Sequence, residues 1–177
     1  VKAGSTISIT GSLLRLVKFV RFQNADDVNV AQVDPTKEVT ALSVAVPSNA
    51  KTGAVTMVLL SGVEIEAGNI TLVEPTASIE DLKASYGIDE TVVISGTDLD
   101  LVTTAAFTGT EAAAVTLTGG KINLKVTAAA KTGNITLTLA NGTTFVVSEF
   151  VTPKPVATFP SAATPLDVLN IVSTLGN

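Results

Sequence analysis

Apolar and polar residues alternate along many short runs of this chain, which is the period of a β-strand with one buried face. The alternation is visible at Ile7 and Ile9 and again at Val92 and Ile94. Longer runs show it in two matched pairs: Leu42, Val44 and Val46 with Ile122, Leu124 and Val126, and Val55, Met57 and Leu59 with Ile135, Leu137 and Leu139. The pattern predicts an all-β protein whose antiparallel strands each bury one side.

Turn residues separate these runs. The Lys-Thr-Gly triplets at 51–53 and 131–133 each stand between two runs, and because glycine allows a positive φ we predict a tight hairpin at each. Ser61-Gly62 and Asn141-Gly142 predict a further hairpin in each half of the chain. The spacing gives about seven short strands in roughly 80 residues, which is typical of an immunoglobulin-like sandwich.

The chain contains an internal repeat. Gly11 and Gly96 end similar apolar runs and are 85 residues apart. The Ala-Lys-Thr-Gly run at 50–53 returns at 130–133, which is 80 residues later. Because length changes belong in loops, we expect the second copy to have lost five residues between Phe107 and Ala130, at the loop that matches 33–38.

Prolines mark the borders between the copies. Pro75-Thr76 ends the first copy and Pro153-Lys154-Pro155 ends the second, and the segment 169–174 resembles 92–97. Proline stiffens such joints, so we expect an elongated tandem array. The predicted domains are a sandwich at 1–75, a sandwich at 76–154, and the start of a third repeat or a C-terminal tail at 155–177.

Composition narrows the possible functions. The 11 basic and 16 acidic residues give a net charge of −5, and the basic residues are scattered, which argues against binding to nucleic acid or anionic lipid. There is no Cys and no His, so disulfides and zinc sites with nitrogen or sulfur ligands are excluded. The sequence contains no run of about 18 apolar residues, so no membrane span is predicted. Since Trp is absent, Phe22 and Phe107 are the expected bulky core residues.

The motifs of the second copy resemble a known family. The run Ile94-Ser95-Gly96-Thr97-Asp98-Leu99, followed by Val102, Phe107 and the Ala-Lys-Thr-Gly run at 130–133, is similar to an IPT/TIG domain, an immunoglobulin-like domain of the E-set type. The resemblance covers both complete copies and the start of a third. The first copy departs from it at 13–15, where Leu-Leu-Arg replaces Asp-Leu-Asp, and the third has Ser173 in place of the glycine.

Tandem domains of this kind look most similar to surface lipoproteins of Bacteroidetes. The resemblance implies spacers or ligand-presenting modules of surface glycan-binding proteins, in which a separate C-terminal domain often holds the sugar. It implies an extracellular position on the bacterial surface, anchored to the outer membrane through a segment outside this sequence. Polysaccharide or other surface proteins would then be reached through domains outside this chain.

Two groups of carboxylates are candidate sites. Asp98 and Asp100 are two residues apart and could share a Ca²⁺ ion, although a solvated turn is the simpler interpretation because the first copy has Leu13 and Arg15 there. The adjacent acids at 26–27 and 89–90 could suggest glycoside hydrolysis, but neighbouring side chains diverge and no nucleophile motif accompanies them. We therefore expect no catalytic residue, no metal and no cofactor.

Tyr86 is the one candidate ligand-binding residue, because sugars pack their C–H faces on aromatic rings and this is the sole Tyr. Its simpler interpretation is a cover for the junction between the two domains. The leading hypothesis is a non-catalytic spacer that acts as a monomer. Direct carbohydrate binding near Tyr86 and strand addition to another subunit by the tail at 158–177 stay open as alternatives.

Overall fold

The structure, a computed structural model, describes residues 1–30 and 36–150, with the side chains of 148–150 left aside. The expected third repeat or tail at 155–177 and the loop residues 33–35 lie outside the described residues. Fourteen strands lie within the described part: β1 Thr6–Thr10, β2 Val17–Phe22, β3 Val28–Asn29, β4 Ala41–Ala45, β5 Gly53–Leu59, β6 Glu64–Ile70, β7 Thr76–Ile79, β8 Thr91–Thr97, β9 Val102–Phe107, β10 Ala113–Ala114, β11 Leu117–Thr118, β12 Lys121–Lys125, β13 Gly133–Leu139 and β14 Thr144–Phe150.

These strands form four antiparallel sheets. The first sandwich has the sheets β1-β4 and β3-β2-β5-β6, and the second has β11-β12-β8-β7 and β10-β9-β13-β14. Within each sandwich the chain crosses between the two sheets three times, as in an immunoglobulin-like sandwich. The protein is thus all-β, with two such sandwiches in tandem.

Each sandwich encloses its own apolar core. The first core is built from residues between Leu14 and Leu72 and the second from residues between Tyr86 and Leu139. Phe22 is 2% exposed and Phe107 is 7% exposed, so both occupy the core positions that the sequence predicted. The alternation predicted for β4 is equally clear, since Leu42 and Val44 are buried while the residues between and beside them are exposed.

The internal repeat extends to individual hydrogen bonds. The Lys51 N–H donates to the Gln23 carbonyl oxygen at 2.8 Å, and at the matching place the Lys131 N–H donates to the Thr108 oxygen at 2.8 Å. A single turn of 3-10 helix precedes β2 and β9, at Leu14–Leu16 and Leu99–Leu101. Each turn follows a residue in the left-handed region, with φ of 58° in the first copy and 54° in the second.

The shorter loop of the second copy is where the repeat spacing placed it. Residues 23–40 separate β2 from β4, whereas the shorter segment 108–120 separates β9 from β12. The strands on either side keep their lengths, so five residues are lost entirely from the connection.

The hairpins predicted at the Lys-Thr-Gly triplets are wrong. β4 pairs with β1, whereas β5 pairs with β2 and β6, so the triplet at 51–53 carries the chain from one sheet to the other. The glycine is needed for a different reason: a Cβ at Gly133 would overlap the Thr108 hydroxyl. The hairpins predicted at Ser61-Gly62 and Asn141-Gly142 are confirmed, because they join β5 to β6 and β13 to β14.

One edge differs between the two sandwiches. β8 pairs with β12 on one side and with β7 on the other, while β1 pairs only with β4 among the described residues. The close approach of β7 depends on Gly96, where a Cβ would overlap the Thr76 carbonyl oxygen. At Gly11, the matching residue, the nearest atom to such a Cβ is Leu14 Cδ2 at 3.5 Å, an ordinary contact.

We predict that Gly96→Ala destabilises the protein by about 1–3 kcal/mol, the usual cost of forcing extra atoms into a packed site. Gly11→Ala is the matched control and should leave the free energy of unfolding unchanged or slightly raised, because it meets no clash and stiffens the unfolded chain. Urea unfolding of the two variants measures the difference. Equal losses of stability would contradict the role given to Gly96.

Candidate functional site

An ion-pair cluster joins the two sandwiches. Lys2, just before β1, places its Nζ 2.9 Å from Asp98 Oδ1 and 2.6 Å from Asp100 Oδ1, both beside the 3-10 turn of the second sandwich. The two aspartates considered as a Ca²⁺ site therefore bind a lysine. Among residues 1–30 and 36–150, no group of three or more acidic side chains is placed to hold a metal ion.

The charges of this cluster reinforce one another. Hydrogen bonds to Asp100 and then Asp98 raise the pKa of Lys2, and the hydrogen bond from Lys2 lowers the pKa of Asp100. The stability that the charged Asp100 adds to the folded state is present above the ordinary pKa of 3.8 and is lost as the pH falls through its lowered pKa. The stability that the charged Lys2 adds is present below the ordinary pKa of 10.5 and is lost as the pH rises through its raised pKa. The contact is thus fully charged at neutral pH.

A second side-chain contact crosses the junction. Asn141, in the turn between β13 and β14, donates from Nδ2 to the Ala50 carbonyl oxygen at 3.1 Å. Its Oδ1 accepts from the Thr143 N–H at 2.9 Å, so one side chain both shapes the hairpin and reaches the first sandwich. Asn141 is Ser61 in the first copy, so this bridge is specific to the second sandwich.

The linker between the sandwiches is itself anchored. The Leu72 N–H donates to Thr52 Oγ1 at 2.9 Å, and the Val73 N–H donates to the Val1 carbonyl oxygen at 2.8 Å. Leu72 is buried in the first core. Two cavities of about 310 and 260 Å³ flank this linker, and both are lined by Leu72, Val73, Leu139 and Asn141.

A larger polar pocket of about 420 Å³ opens in the first sandwich, at the end of β2. Its polar lining comes from the end of β2, the turn that follows it, the loop before β5 and β5 itself: Arg21, Gln23, Asn24, Asp26, Asn49 and Thr56. Carboxylate, amide and guanidinium groups can each make paired hydrogen bonds, so this lining suits a ligand rich in hydroxyl groups.

Two contacts hold the pocket side chains in place. Arg21 donates from Nε and Nη2 to the two carboxylate oxygens of Asp27, at 2.8 and 3.1 Å, and from Nη1 to Glu64 Oε1 at 2.6 Å. The hydrogen bonding by Arg21 lowers the pKa of Asp27. Asn24 adopts the left-handed region, with φ of 61°, and its Nδ2 donates to the Asn49 carbonyl oxygen at 3.2 Å. The side chains of Arg21 and Asn24 are therefore held by hydrogen bonds within the first sandwich.

The second sandwich lacks this pocket chemistry. At the repeat spacings, Arg21 corresponds to Ala106, Asp27 to Ala112, and Asn24 to Gly109. Asn49 likewise corresponds to an alanine, at 129. Backbone hydrogen bonds repeat at this place in both copies while these side chains differ, so the polar group is specific to the first sandwich. Comparing the two copies position by position would have found these residues in the sequence, where they were missed.

Tyr86 does not lie where the sequence interpretation placed it. The ring is 2% exposed and belongs to the core of the second sandwich, and its hydroxyl accepts from the Lys83 N–H at 3.2 Å. Lys83 Nζ lies 5.4 Å from the ring centroid. Because both faces are covered, the ring offers no platform for a sugar, and neither junction cavity includes it. The burial of Tyr86 depends on its packing in the second core, which the local sequence pattern did not reveal.

The adjacent acids turn to separate partners. Asp26 lines the polar pocket while Asp27 binds Arg21. Asp89 pairs with Lys125 at 2.9 Å, while Glu90 accepts from the Gly87 N–H and from Lys83, the two contacts that lower its pKa. In each pair the two carboxylates turn to different partners, whereas the two carboxylates of a glycoside hydrolase face each other across the bond that is cleaved.

Comparison with protein-family profiles gave no match, and comparison with curated proteins gave none either. Among solved structures, the chain is similar to SGBP-B of the Bacteroides ovatus mixed-linkage glucan utilization locus in complex with a mixed-linkage heptasaccharide, at 16% identity and a TM-score of 0.35, covering 86% of this chain and 42% of that one. The chain is also similar to SGBP-B from a complex xyloglucan utilization locus of Bacteroides uniformis, at 17% identity and a TM-score of 0.37, covering 86% of this chain and 46% of that one. It is similar as well to the surface glycan-binding protein PbSGBP-B of Prevotella bryantii, at 16% identity and a TM-score of 0.37, covering 84% of this chain and 37% of that one.

The chain thus spans less than half the length of these three structures. At TM-scores below 0.4 the likeness assigns neither a site nor a ligand, so both are argued from the residues. Within the described residues, no helix has the length and apolarity needed to cross a membrane.

We predict that Lys2→Met loosens the junction while leaving the unfolding midpoint in urea almost unchanged, because an exposed ion pair contributes little to stability. The chain has no Cys, so Glu66→Cys and Thr118→Cys give one spin label in each sandwich. The distribution of distances between the two labels, measured by pulsed electron paramagnetic resonance, should be broader in Lys2→Met than in the unaltered protein. Lys125→Met is the control, since it removes an ion pair within the second sandwich. An unchanged distribution in Lys2→Met would show that this cluster does not hold the junction.

Proposed function

We propose that this chain is a non-catalytic spacer of a larger bacterial surface protein concerned with polysaccharide capture. Residues 1–75 and 76–154 form two domains of the IPT/TIG type, and they hold a functional domain away from the outer membrane. The anchor and the domain that holds the polysaccharide lie outside this chain. The observation that carries the proposal is the junction, where an ion-pair cluster, a side-chain bridge and an anchored linker join two copies of one scaffold.

A spacer must keep the domains at its two ends in a fixed relative position, and the contacts of the junction are suited to this. Lys2 and Ala50 of the first sandwich are held by Asp98, Asp100 and Asn141 of the second. These contacts engage two separate segments of the first sandwich, one before β1 and one before β5, so the second sandwich is held at more than one point besides the linker. A flexible linker would instead let the distal domain sample many directions.

Two measurements test the spacer proposal together. The doubly labelled protein should give one narrow distance distribution, and the unlabelled protein should migrate normally through native gels cast with plant, host and microbial polysaccharides. A broad distribution would contradict the rigid junction. Retarded migration with one polysaccharide would show that this chain binds sugar itself.

The second candidate function is direct carbohydrate binding, and the polar pocket of the first sandwich favours it. Arg21 and Asn24, whose side chains are hydrogen-bonded, and Asn49 beside them are absent from the matching place in the second sandwich. Sugar hydroxyls are recognised by planar polar side chains held in place in this way. This candidate places the site at the end of β2 and away from Tyr86.

Asn24→Gly tests the pocket with little risk to the fold, because glycine tolerates the left-handed conformation of Asn24 and is the residue of the second copy, Gly109. If the pocket binds a polysaccharide, gel retardation by that polysaccharide should be reduced in Asn24→Gly and in Arg21→Ala. Asn134→Ala, at the place in the second sandwich that matches Ala54, is the control and should migrate as the unaltered protein does. Retardation that persists in both pocket variants would place the site elsewhere.

A further inference from the structure

The turn between β13 and β14 carries the only Asn-Gly pair in the sequence, at Asn141-Gly142. Every other asparagine except the last residue, Asn177, precedes alanine, valine, leucine or isoleucine. A glycine after asparagine leaves the following backbone nitrogen unshielded, because there is no Cβ beside it. Apart from its chain neighbours, no atom lies within 4 Å of where a Cβ of Gly142 would stand, and Asn141 is only partly buried. The Asn141 side chain is therefore open to attack by the backbone nitrogen that follows it.

The turn also activates the side-chain amide of Asn141. Its Oδ1 accepts from the Thr143 N–H at 2.9 Å. A donor on this oxygen polarises the amide, and it stabilises the negative charge that develops on the oxygen when a nucleophile adds to Cγ. The amide is thus held in a form that favours the addition of a backbone nitrogen.

Two other hydrogen bonds restrain the same groups while the junction is closed. The Gly142 N–H donates to the Leu139 carbonyl oxygen at 3.0 Å, which holds the attacking nitrogen in the turn. Asn141 Nδ2, the atom that must leave, donates to the Ala50 carbonyl oxygen of the first sandwich at 3.1 Å. The amide can turn its Cγ toward the Gly142 nitrogen only when the bond to Ala50 opens. Reaction at Asn141 is therefore coupled to a local opening of the junction.

We propose that Asn141 is a site of spontaneous deamidation, and that the reaction proceeds from the open junction and keeps it open. The Gly142 nitrogen bonds to Asn141 Cγ, the Cγ–Nδ2 bond breaks, and Nδ2 leaves as ammonia with the proton of the Gly142 nitrogen. Water then opens the succinimide ring at either of its carbonyl groups, and residue 141 becomes aspartate or isoaspartate. This inference rests on the junction contacts and stands whether or not the chain acts as a spacer.

Either product breaks the bridge between the sandwiches. A carboxylate has no hydrogen to donate to the Ala50 carbonyl oxygen, so two acceptors would face each other. The product also adds a negative charge to the cavity beside the linker that Asp100 already lines. The other cavity contributes one charge of each sign, from Lys51 and Glu74. Isoaspartate further lengthens the backbone of the hairpin by a methylene group.

Peptide mapping by mass spectrometry, after prolonged incubation of the full-length chain at mildly alkaline pH, measures the reaction at each asparagine. Asn141 should deamidate, whereas Asn134, in β13 and followed by isoleucine, should not. Because the reaction proceeds from the open junction, Lys2→Met should speed it by about two- to fivefold, the change in an opening equilibrium that corresponds to the loss of an exposed ion pair. Lys125→Met, which removes an ion pair within the second sandwich, should leave the rate unchanged.

Two variants of Asn141 separate the loss of the bridge from the added charge. Asn141→Ser has no amide to lose, and serine is the residue of the matching turn in the first sandwich, where Ser61 Oγ accepts from the Val63 N–H at 3.5 Å. Asn141→Asp reproduces one of the two products. With the spin labels at Glu66→Cys and Thr118→Cys, the distance distribution should be broader in Asn141→Ser than in the unaltered protein, and broader again in Asn141→Asp.

Three results would overturn the proposal. The first is an Asn141 that reacts no faster than Asn134. The second is a rate that is equal in Lys2→Met and in the unaltered protein, which would separate the reaction from the junction. The third is a distance distribution in Asn141→Asp as narrow as that of the unaltered protein, which would show that the product leaves the junction closed.

Discussion

The crossing from one sheet to the other through Ala-Lys-Thr-Gly is the constraint on which the rest of each sandwich depends. Two facing sheets bury a common core only if they stay at a fixed separation of about 10 Å. The crossing is fixed by the hydrogen bond from the Lys51 N–H to Gln23 in the first copy and by its counterpart in the second. In the first sandwich, two of these four residues also contact the junction: the Ala50 carbonyl oxygen accepts from Asn141, and Thr52 Oγ1 accepts from the Leu72 N–H of the linker. Core, polar pocket and junction therefore meet at one turn.

Duplication explains how the two sandwiches can share a backbone and still differ. Hydrogen bonds at matching positions repeat, which leaves the exposed side chains free to diverge. The first copy carries Arg21 with its two carboxylate partners. The second carries Asp98 and Asp100, which bind Lys2, where the first has Leu13 and Arg15. Asp98 and Asp100 lie at a short 3-10 turn, and Arg21 lies on β2 with its side chain partly exposed, so neither difference disturbs the buried core.

The sequence predicted those features that depend on periodicity. Alternating residues located β4 and β12, and Asn141-Gly142 located a hairpin, because both signals are local. The triplet at 51–53 was misinterpreted because a glycine just before a strand gives the same sequence signal in a hairpin as in a crossing between two sheets. Only the partners of β4 and β5 distinguish the two. Tyr86 and the partner of Asp98 depend on contacts between distant segments, which one sequence does not encode in any short pattern.

The rigid junction is tested most directly by residual dipolar couplings of backbone amides, measured for the whole chain in one weakly aligning medium. If Lys2, Asn141 and the anchored linker fix the two sandwiches relative to each other, a single alignment tensor will fit the couplings from both. Two tensors of different magnitude would show that the sandwiches reorient independently. That result would contradict the view of this chain as one rigid tandem unit.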